Sequence, residues 1–264
     1  MNIVKRELRA HLKSLIIWSV CILLFTFMET SEFSAYHNNP EMAAILDTMP
    51  QAMLKAFSMS GANLTTIIGF VSILAVFFYI MLGIYAVLLG SSIISKEERD
   101  KTAEYLFTLP VTRRKVIVGK LIASIILCLI ILGVTGLSIT ASVMKYNPSE
   151  SFYEFLGLML LAIFIIQMIF MSVGMLLASV LKQYKKSGSV SIAILLGTYI
   201  LSVMIGLSDK IDFLKYFTPF KYFEAVYIVN ESKLELVYVL ISVVVIVGSV
   251  FGTLIFYKKR DLHI

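Results

Sequence analysis

The sequence predicts an all-α, polytopic membrane protein with six transmembrane helices. Apolar residues make up 59% of the 264 residues and charged residues only 15%, whereas charged residues are about 25% of a typical soluble domain. The mean hydropathy is +0.90, and all five prolines fall between the apolar segments rather than inside them. This composition excludes a disordered chain, a collagen-like fibre and an ordinary soluble enzyme.

Six apolar segments have cores free of acidic residues and approach the length of about 20 residues that a helix needs to cross the hydrocarbon core. The predicted spans are 15–31, 64–94, 116–143, 155–181, 189–207 and 235–257. We therefore expect residues 1–264 to form a single transmembrane domain. A cleaved signal peptide is the competing interpretation of the first span. It is disfavoured because Phe33 occupies the −3 position before Ala35, so no small-x-small cleavage site follows the apolar run.

The distribution of Lys and Arg predicts that both termini lie in the cytoplasm. With the N-terminus inside, 17 of the 23 basic residues fall in cytoplasmic segments, as the positive-inside rule requires. The acidic residues show the opposite bias, with 6 of 17 inside. The net charge of +6 is accordingly expected to face the anionic lipid of the inner leaflet and not a nucleic acid.

The N-terminal residues 1–14 are predicted to form an interfacial amphipathic helix. Val4, Leu8 and Leu12 recur at helical spacing, while the basic residues of this segment lie on other faces. Such a pattern is typical of a helix in the plane of the membrane surface. The helix either anchors the first span or frames a docking site for a cytoplasmic partner.

The largest cytoplasmic loop, residues 95–115, is predicted to contain a short charged helix. Ser95 and Glu98 match a capping box that begins a helix. Glu97 and Lys101 form an i, i+4 pair in the favourable order, and the proline that follows ends the helix. The charges either solvate a surface loop or form a contact surface for another protein.

The span interiors hold no group suited to proton coupling, because no Asp, Glu or His lies near the midplane. Lys120 lies one turn into the third span, and we expect it to snorkel to the cytoplasmic face. Gln167 is the only amide deep in a span. It either makes an interhelical hydrogen bond or forms a polar spot on a substrate path. Sodium coupling through carbonyl and hydroxyl oxygens stays open.

The sequence contains no phosphate-binding loop. Its only Gly-Lys pair, Gly119 and Lys120, is followed by leucine, and Arg114 occupies the place of the first glycine. The two cysteines and three histidines are scattered, so we expect no disulfide framework, metal site or catalytic residue. We expect that the chain is not an enzyme and binds no cofactor, and that energy for uphill transport comes from another chain.

The last outer loop, residues 208–233, holds seven aromatic residues, which favour the membrane interface. Thr218 and Pro219 form an N-cap and N1 pair that indicates a helix start. The loop is predicted to form short re-entrant helices that close the outer mouth between the fifth and sixth spans. An aromatic belt on the surface is the alternative. The candidate gate residues are Phe213, Phe217, Pro219, Phe220 and Phe223.

Four stretches resemble ABC-2-type permeases, the membrane subunits of ATP-binding-cassette exporters. The most specific is residues 96–114, KEERDKTAEYLFTLPVTRR, followed by Gly119 and Lys120. The others are residues 49–57 (MPQAMLKAF), 217–223 (FTPFKYF) and 257–261 (YKKRD). The chain departs from the family where many members have Glu-Arg-Gly-Thr, since it has Arg-Asp-Lys-Thr at residues 99–102.

The resemblance implies a six-span subunit that lacks its own nucleotide-binding domain and pairs with a second copy or a sister permease. It also implies two copies of a cytosolic ATPase, which bind ATP and Mg²⁺ and dock on a coupling helix between the second and third spans. The coupling residues that follow from it are Lys96, Glu97, Glu98, Arg99, Thr102, Tyr105, Leu106 and Phe107.

The function that the resemblance implies is export of a hydrophobic or amphipathic substrate, such as a peptide, an antibiotic or a lipid, across a bacterial inner membrane. Two alternatives stay open. One is a non-exporting or metalloenzyme-maturation permease of the same family, and the other is a sodium-coupled secondary carrier.

Overall fold

The computed structural model describes residues 3–37, 63–100, 112–181 and 183–259, together with the isolated positions Asn39 and Thr48. Regular structure in these residues is helical, and six of the helices are long and apolar enough to cross a membrane. In chain order, the helices are α1 (Ile3–Tyr36), α2 (Ile67–Arg99), α3 (Arg113–Val143), α4 (Glu150–Val180), α5 (Tyr184–Leu207), α6 (Pro219–Tyr222), α7 (Ala225–Glu231) and α8 (Leu236–Lys259).

Two 3₁₀ segments complete the described structure. Met144–Tyr146 follows α3, and Asp209–Phe217 connects α5 to the short helices α6 and α7. We call the end of the bundle at which α1 begins and α2 ends the basic end. The other end, where α2 begins and where α6 and α7 enter the bundle, is called the opposite end.

The core is built around α2 and α4, which pack against each other more extensively than any other pair of described helices. Their backbones meet at two glycines. A Cβ on Gly90 would lie 2.1 Å from the carbonyl oxygen of Met171, and a Cβ on Gly174 would lie 2.4 Å from that of Val87. Glycine at such crossings lets transmembrane helices approach closely, so these two helices form the tightly packed centre of the protein.

The helix α1 packs against α3 through a row of hydroxyl groups. The Oγ atoms of Thr26 and Ser138 lie 3.2 Å apart, and Thr30 donates a hydrogen bond of 3.1 Å to Ser142. Because consecutive pairs are four residues apart on both helices, the row fixes the register of α1 on α3. Interhelical hydroxyl bonds of this kind contribute on the order of 0.6 kcal/mol each in a membrane.

The three helices α1, α5 and α8 lie at the periphery. Between 17% and 22% of the most apolar window of each is buried in the chain, against 61% in α2 and α4. Large side chains such as Leu24, Val244 and Phe251 are exposed on them. An apolar outer surface of this extent suits a protein whose solvent is lipid.

Two predictions of a separate helix start differ from the structure. The helix α1 runs without a break from Ile3 to Tyr36, whereas the sequence predicted a separate interfacial helix followed by a span. No glycine or proline interrupts this stretch. The capping box is also wrong, because α2 continues through Ser95 to Arg99. The Ser95 hydroxyl lies 3.2 Å from the hydroxyl of Ser187 on α5 instead of capping a new helix.

Candidate functional site

A buried cluster of ion pairs joins α1, α2 and α3 at the basic end. We call it the basic-end cluster, and its members are Arg6, Glu7, Lys96, Glu97 and Lys120. Lys120 on α3 donates hydrogen bonds to the Glu97 carboxylate on α2 and to a main-chain carbonyl oxygen of the same helix. Lys96 on α2 lies 3.2 Å from the Glu7 carboxylate on α1, and Arg6 lies 4.0 Å from that of Glu97.

Burial makes this cluster energetically important. Glu7 and Glu97 are each 1% exposed, and Lys120 is fully buried. An isolated charge at such a position would cost several kcal/mol of desolvation, which a partner of opposite charge and good geometry offsets. Both buried carboxylates have a cationic partner on a different helix, so the cluster holds the three helix ends in one arrangement.

Further polar contacts link the other helices to this end. Arg113, the first residue of α3, donates to the carbonyl oxygens of Tyr257 and Lys258 at 3.3 and 3.1 Å. A cation at the end of α8 also compensates the negative end of its helix dipole. Ser91 on α2 donates to Ser187 on α5 at 2.9 Å. The basic end therefore joins five of the six spans through polar side chains.

These contacts bracket one chain segment, residues 101–111, which lies outside the described residues. The helix that leads into it ends at Arg99, two residues after Glu97, and the helix that leaves it begins at Arg113. Thr112 caps the second helix by accepting a hydrogen bond of 3.3 Å from the Lys115 N–H. The segment thus begins shortly after a buried ion pair and ends at the residue that caps α3.

Half of the predicted coupling residues lie in the last turn of α2, and the other half lie outside the described residues. Lys96, Glu97, Glu98 and Arg99 form the last turn of α2, and only Arg99 among them is exposed, beside Asp100 at 3.0 Å. The Glu97 carboxylate lies inside the chain rather than on the surface that a docking residue would occupy. The other predicted coupling residues lie outside the described residues: Thr102, Tyr105, Leu106 and Phe107.

The prediction that Lys120 snorkels to the membrane surface is wrong. The side chain is fully buried because Glu97 on the neighbouring helix offers an opposite charge at the same depth. Sequence reasoning also missed Glu7, which is the one acidic residue in the otherwise basic start of the chain. An acid on the predicted interfacial helix was the signal that could have indicated a cationic partner elsewhere.

Gln167 lies in α4 and is fully buried. Neither its amide nitrogen nor its carbonyl oxygen has a hydrogen-bond partner among the described residues. The interhelical hydrogen bond that the sequence suggested is therefore not formed within this part of the chain. A buried amide without a partner costs about 1–3 kcal/mol, and such a group in a folded protein calls for an explanation.

The predicted gate residues fall into two sets. Phe213 and Phe217 are exposed, whereas Pro219, Phe220 and Phe223 are buried. Pro219 is the first residue of α6, as the sequence predicted. The residue before it does not cap the helix, because its hydroxyl donates to a carbonyl oxygen of α5.

The helix α6 is inserted between the long helices. The Phe220 ring centroid lies 5.6 Å from that of Phe170 on α4 and 5.5 Å from that of Tyr199 on α5. The Thr218 hydroxyl donates to the Thr198 carbonyl oxygen at 2.8 Å. Thr198 lies nine residues before the end of α5, or about 13 Å along the helix axis. The segment around α6 thus reaches well below the opposite end of the bundle.

No group of three or more His, Cys, Asp or Glu side chains is arranged to hold a metal ion in the part of the chain that the structure describes. The polar chemistry of this molecule is instead that of ion pairs, hydroxyl rows and single buried amide and phenol groups. These are structural and recognition elements of a helical membrane protein.

Six apolar spans, two of which form a tightly packed central pair, define a multi-pass membrane protein with a charged basic end. The model of a family described as ABC-2 family transporter protein matches residues 1–262. The chain belongs to this family and is a membrane component of an ABC transporter, which confirms the resemblance seen in the sequence. No curated protein matches the chain in a sequence comparison.

Proposed function

We propose that the protein is the permease subunit of an ABC exporter that moves a hydrophobic or amphipathic substrate out of a bacterial cell. The permease lies in the inner membrane with both termini in the cytoplasm and pairs with a second permease. Two copies of a cytosolic ATPase bind ATP and Mg²⁺ and dock at the basic end. The observation that carries this proposal is the basic-end cluster, which joins α2 and α3, the helices on either side of residues 101–111, to each other and to α1.

The cluster suits the transmission of force from a docked ATPase. When the two ATPase subunits close on ATP, they push on the segment between Asp100 and Thr112. Because the Glu97–Lys120 and Lys96–Glu7 pairs join α2 to α3 and α1, these three helices respond as one unit. A loop attached by exposed side chains alone would yield to the push, since exposed ion pairs contribute only about 0–1 kcal/mol.

The substrate passes between this unit and the other spans, beside Gln167, and leaves past the aromatic residues of the outer loop. The burial of Phe220 between α4 and α5 supports a role as a gate, because outward passage requires this ring to leave its packed position. The apolar span interiors favour an apolar or amphipathic substrate over a small hydrophilic one.

The proposal is tested by docking and transport with purified components. The permease and its ATPase are reconstituted in proteoliposomes, and two variants, Arg99→Glu and Phe107→Ala, are compared with the wild type. We expect each to weaken ATPase binding by at least about tenfold, as a charged or aromatic interface residue does, and to lower ATP-driven export in proportion. Lys210→Glu, an exposed cation at the opposite end, serves as the matched control.

Two outcomes would contradict the proposal. Unchanged ATPase binding and export in both variants would show that the segment is not the docking site. Export by the isolated permease on a sodium gradient, without ATPase or ATP, would show that the chain is a secondary carrier.

A further inference from the structure

Two charged residues lie at the depth in the bundle that the short helix α6 reaches. Phe220 contacts Phe170, which lies ten residues before the end of α4 at Val180, or about 15 Å along the axis. The contact of Thr218 with Thr198 lies about 13 Å from the opposite end of α5. With these two distances, α6 is near the middle of a hydrocarbon core of about 30 Å. Lys221 and Glu224 follow directly and form an ion pair there.

The Glu224 carboxylate is only partly used by this pair. Lys221 bonds to one of its two oxygens, and the carboxylate does not cap α7, although Glu224 is the N-cap residue of that helix. The Glu224 side chain is 36% exposed and that of Lys221 16%. Charged residues at membrane depth are costly and usually serve a function, so a half-used carboxylate here indicates a binding group.

Two further polar side chains lie in the same layer and have no partner among the described residues. Tyr79 is 2% exposed and Gln167 fully buried, and neither the phenol nor the amide is hydrogen-bonded. Each lies about one turn from a contact between Gly83 and Phe170, on the side of the opposite end. Helical periodicity therefore brings the two side chains to one level of the α2–α4 interface.

The helix α7 brings Glu224 to this level. It packs on both α2 and α4, the helices that carry Tyr79 and Gln167. A cavity of about 240 Å³ lies further toward the opposite end, between α2 and α7, and its lining includes Thr66, Ser72 and Val229. Tyr79, Gln167 and Glu224 do not line this cavity, but Val226 does, so the cavity lies beside the layer. Because pockets for drug-sized molecules measure about 300–1,000 Å³, it has room for only part of a ligand.

The chemistry of the layer favours a cation. A carboxylate oxygen, a phenol oxygen and an amide carbonyl oxygen can accept hydrogen bonds, and the ring of Phe220 packs on those of Phe170 and Tyr199 about one turn of α4 from Gln167. Oxygen acceptors next to aromatic faces are the usual recognition elements for ammonium groups. Among the residues named in this layer, Lys221 is the one cation that an anion could pair with, and it is already paired and less exposed than Glu224.

We propose that Tyr79, Gln167 and Glu224 form a binding site for the ammonium head group of a cationic amphipathic molecule. Lys221 occupies the carboxylate in the empty site and is displaced from it by the ligand, whose tail stays in apolar surroundings. This inference rests on the proposed export function and names the class of substrate. Gln167 orients the head group by its carbonyl oxygen, and the Tyr79 hydroxyl provides the second neutral acceptor.

The test measures binding to the full chain in lipid nanodiscs made of phosphatidylglycerol, without ATP or ATPase. The probe is dodecylammonium, whose N–H groups can donate to these acceptors, and dodecyl sulfate and dodecyl maltoside are the anionic and neutral controls with the same tail. We expect the ammonium probe to bind at least about tenfold more tightly than either control, the difference that one charge-assisted contact provides. Adding phosphatidylethanolamine distinguishes the source of the ligand, because a lipid head group that uses the site displaces the probe.

Variants then assign the binding to these residues. Glu224→Gln should lower the affinity for the ammonium probe about tenfold, and Lys221→Met should raise it because the competing cation is gone. Glu231→Gln, an exposed paired acid on the same helix, should leave it unchanged. Tyr79→Phe removes a hydroxyl that bonds to no described residue, so the variant should fold as the wild type does and still bind the probe more weakly.

Equal binding of the sulfate and ammonium probes would overturn the inference, and so would unchanged affinity in Glu224→Gln and Tyr79→Phe. Either result with ATP-driven export intact would leave the proposed function in place. If the chain binds the ammonium probe as expected but exports without an ATPase, the proposed function is wrong and the binding site is not. This result would support the ammonium site and contradict the coupling of transport to an ATPase.

Discussion

The ammonium group of Lys120 on α3 donates a hydrogen bond to the carboxylate of Glu97 on α2, and both side chains are buried. These residues are separated by the segment 101–111, so their ion pair closes the loop that carries the predicted docking surface. The pair lies about two turns into α3 and in the last turn of α2, where a push on the loop reaches the spans. Its integrity should therefore matter to both folding and coupling.

Replacing Lys120 with Met should destabilise the protein by about 3–5 kcal/mol, because it leaves the Glu97 carboxylate buried without its closest cation. The double variant Lys120→Met with Glu97→Leu should recover much of this loss, since no buried charge is then left unpaired. The free energy of unfolding in detergent, followed by circular dichroism, gives the coupling energy of the pair.

Lys115→Met, an exposed cation on the same helix, should change stability by less than about 0.5 kcal/mol. Equal effects of the two lysine variants would show that the ion pair is unimportant for stability.

The crossing of α2 and α4 should be intolerant of even one added carbon. A Cβ at Gly90 would lie 2.1 Å from a carbonyl oxygen of Met171, whereas nothing lies within 4 Å of a Cβ at Gly248. Gly90→Ala should therefore cost at least about 1–3 kcal/mol through overpacking, and Gly248→Ala should be neutral or slightly stabilising. Thermal unfolding of the two variants in the same detergent compares them directly. A neutral Gly90→Ala would mean that the two helices are further apart than described here.

The sequence alone is sufficient to predict the class of this fold, because spans follow from composition and length. It is less informative about which residues meet. Gly248 and Gly252 match a Gly-x-x-x-Gly pattern, yet only Gly252 meets a neighbouring side chain, that of Leu176. The tight crossing uses Gly90 and Gly174, which lie on different helices and form no local motif.

The same reason explains the errors at the basic end. A capping box is a local pattern, and Ser95 matches it, but the packing of α2 against α5 continues the helix through that residue. The burial of Lys120 depends on Glu97, 23 residues away along the chain. Local rules describe helix ends and propensities, whereas the partners of a buried charge are decided by the three-dimensional arrangement.

The charge bias predicts which side of the membrane each end of the bundle faces. In a chain without its two native cysteines, Ser149→Cys would lie at the opposite end and Thr112→Cys at the basic end, both at exposed positions. A membrane-impermeant maleimide should label the Ser149→Cys chain in intact cells, because the positive-inside rule places that end outside. The Thr112→Cys chain should react only after the cells are made permeable. Labelling in the reverse order would show that the basic end faces outward. A cytosolic ATPase could then not reach the proposed docking site.

The stability of the outer aromatic segment and the closure of the path should depend on its buried ring and not on its exposed ones. Phe220 is 5% exposed and packs between α4 and α5, whereas Phe217, three residues earlier, is 70% exposed. Phe220→Ala should cost about 3–5 kcal/mol, since it removes a large buried side chain and leaves a cavity between the two helices. Phe217→Ala should change the free energy of unfolding little, because its ring is not packed inside the chain. In proteoliposomes, Phe220→Ala should also let a trapped amphipathic dye leak without ATP, and Phe217→Ala should not. Retention of the dye by a folded Phe220→Ala variant would show that this ring is part of the core but does not close the path.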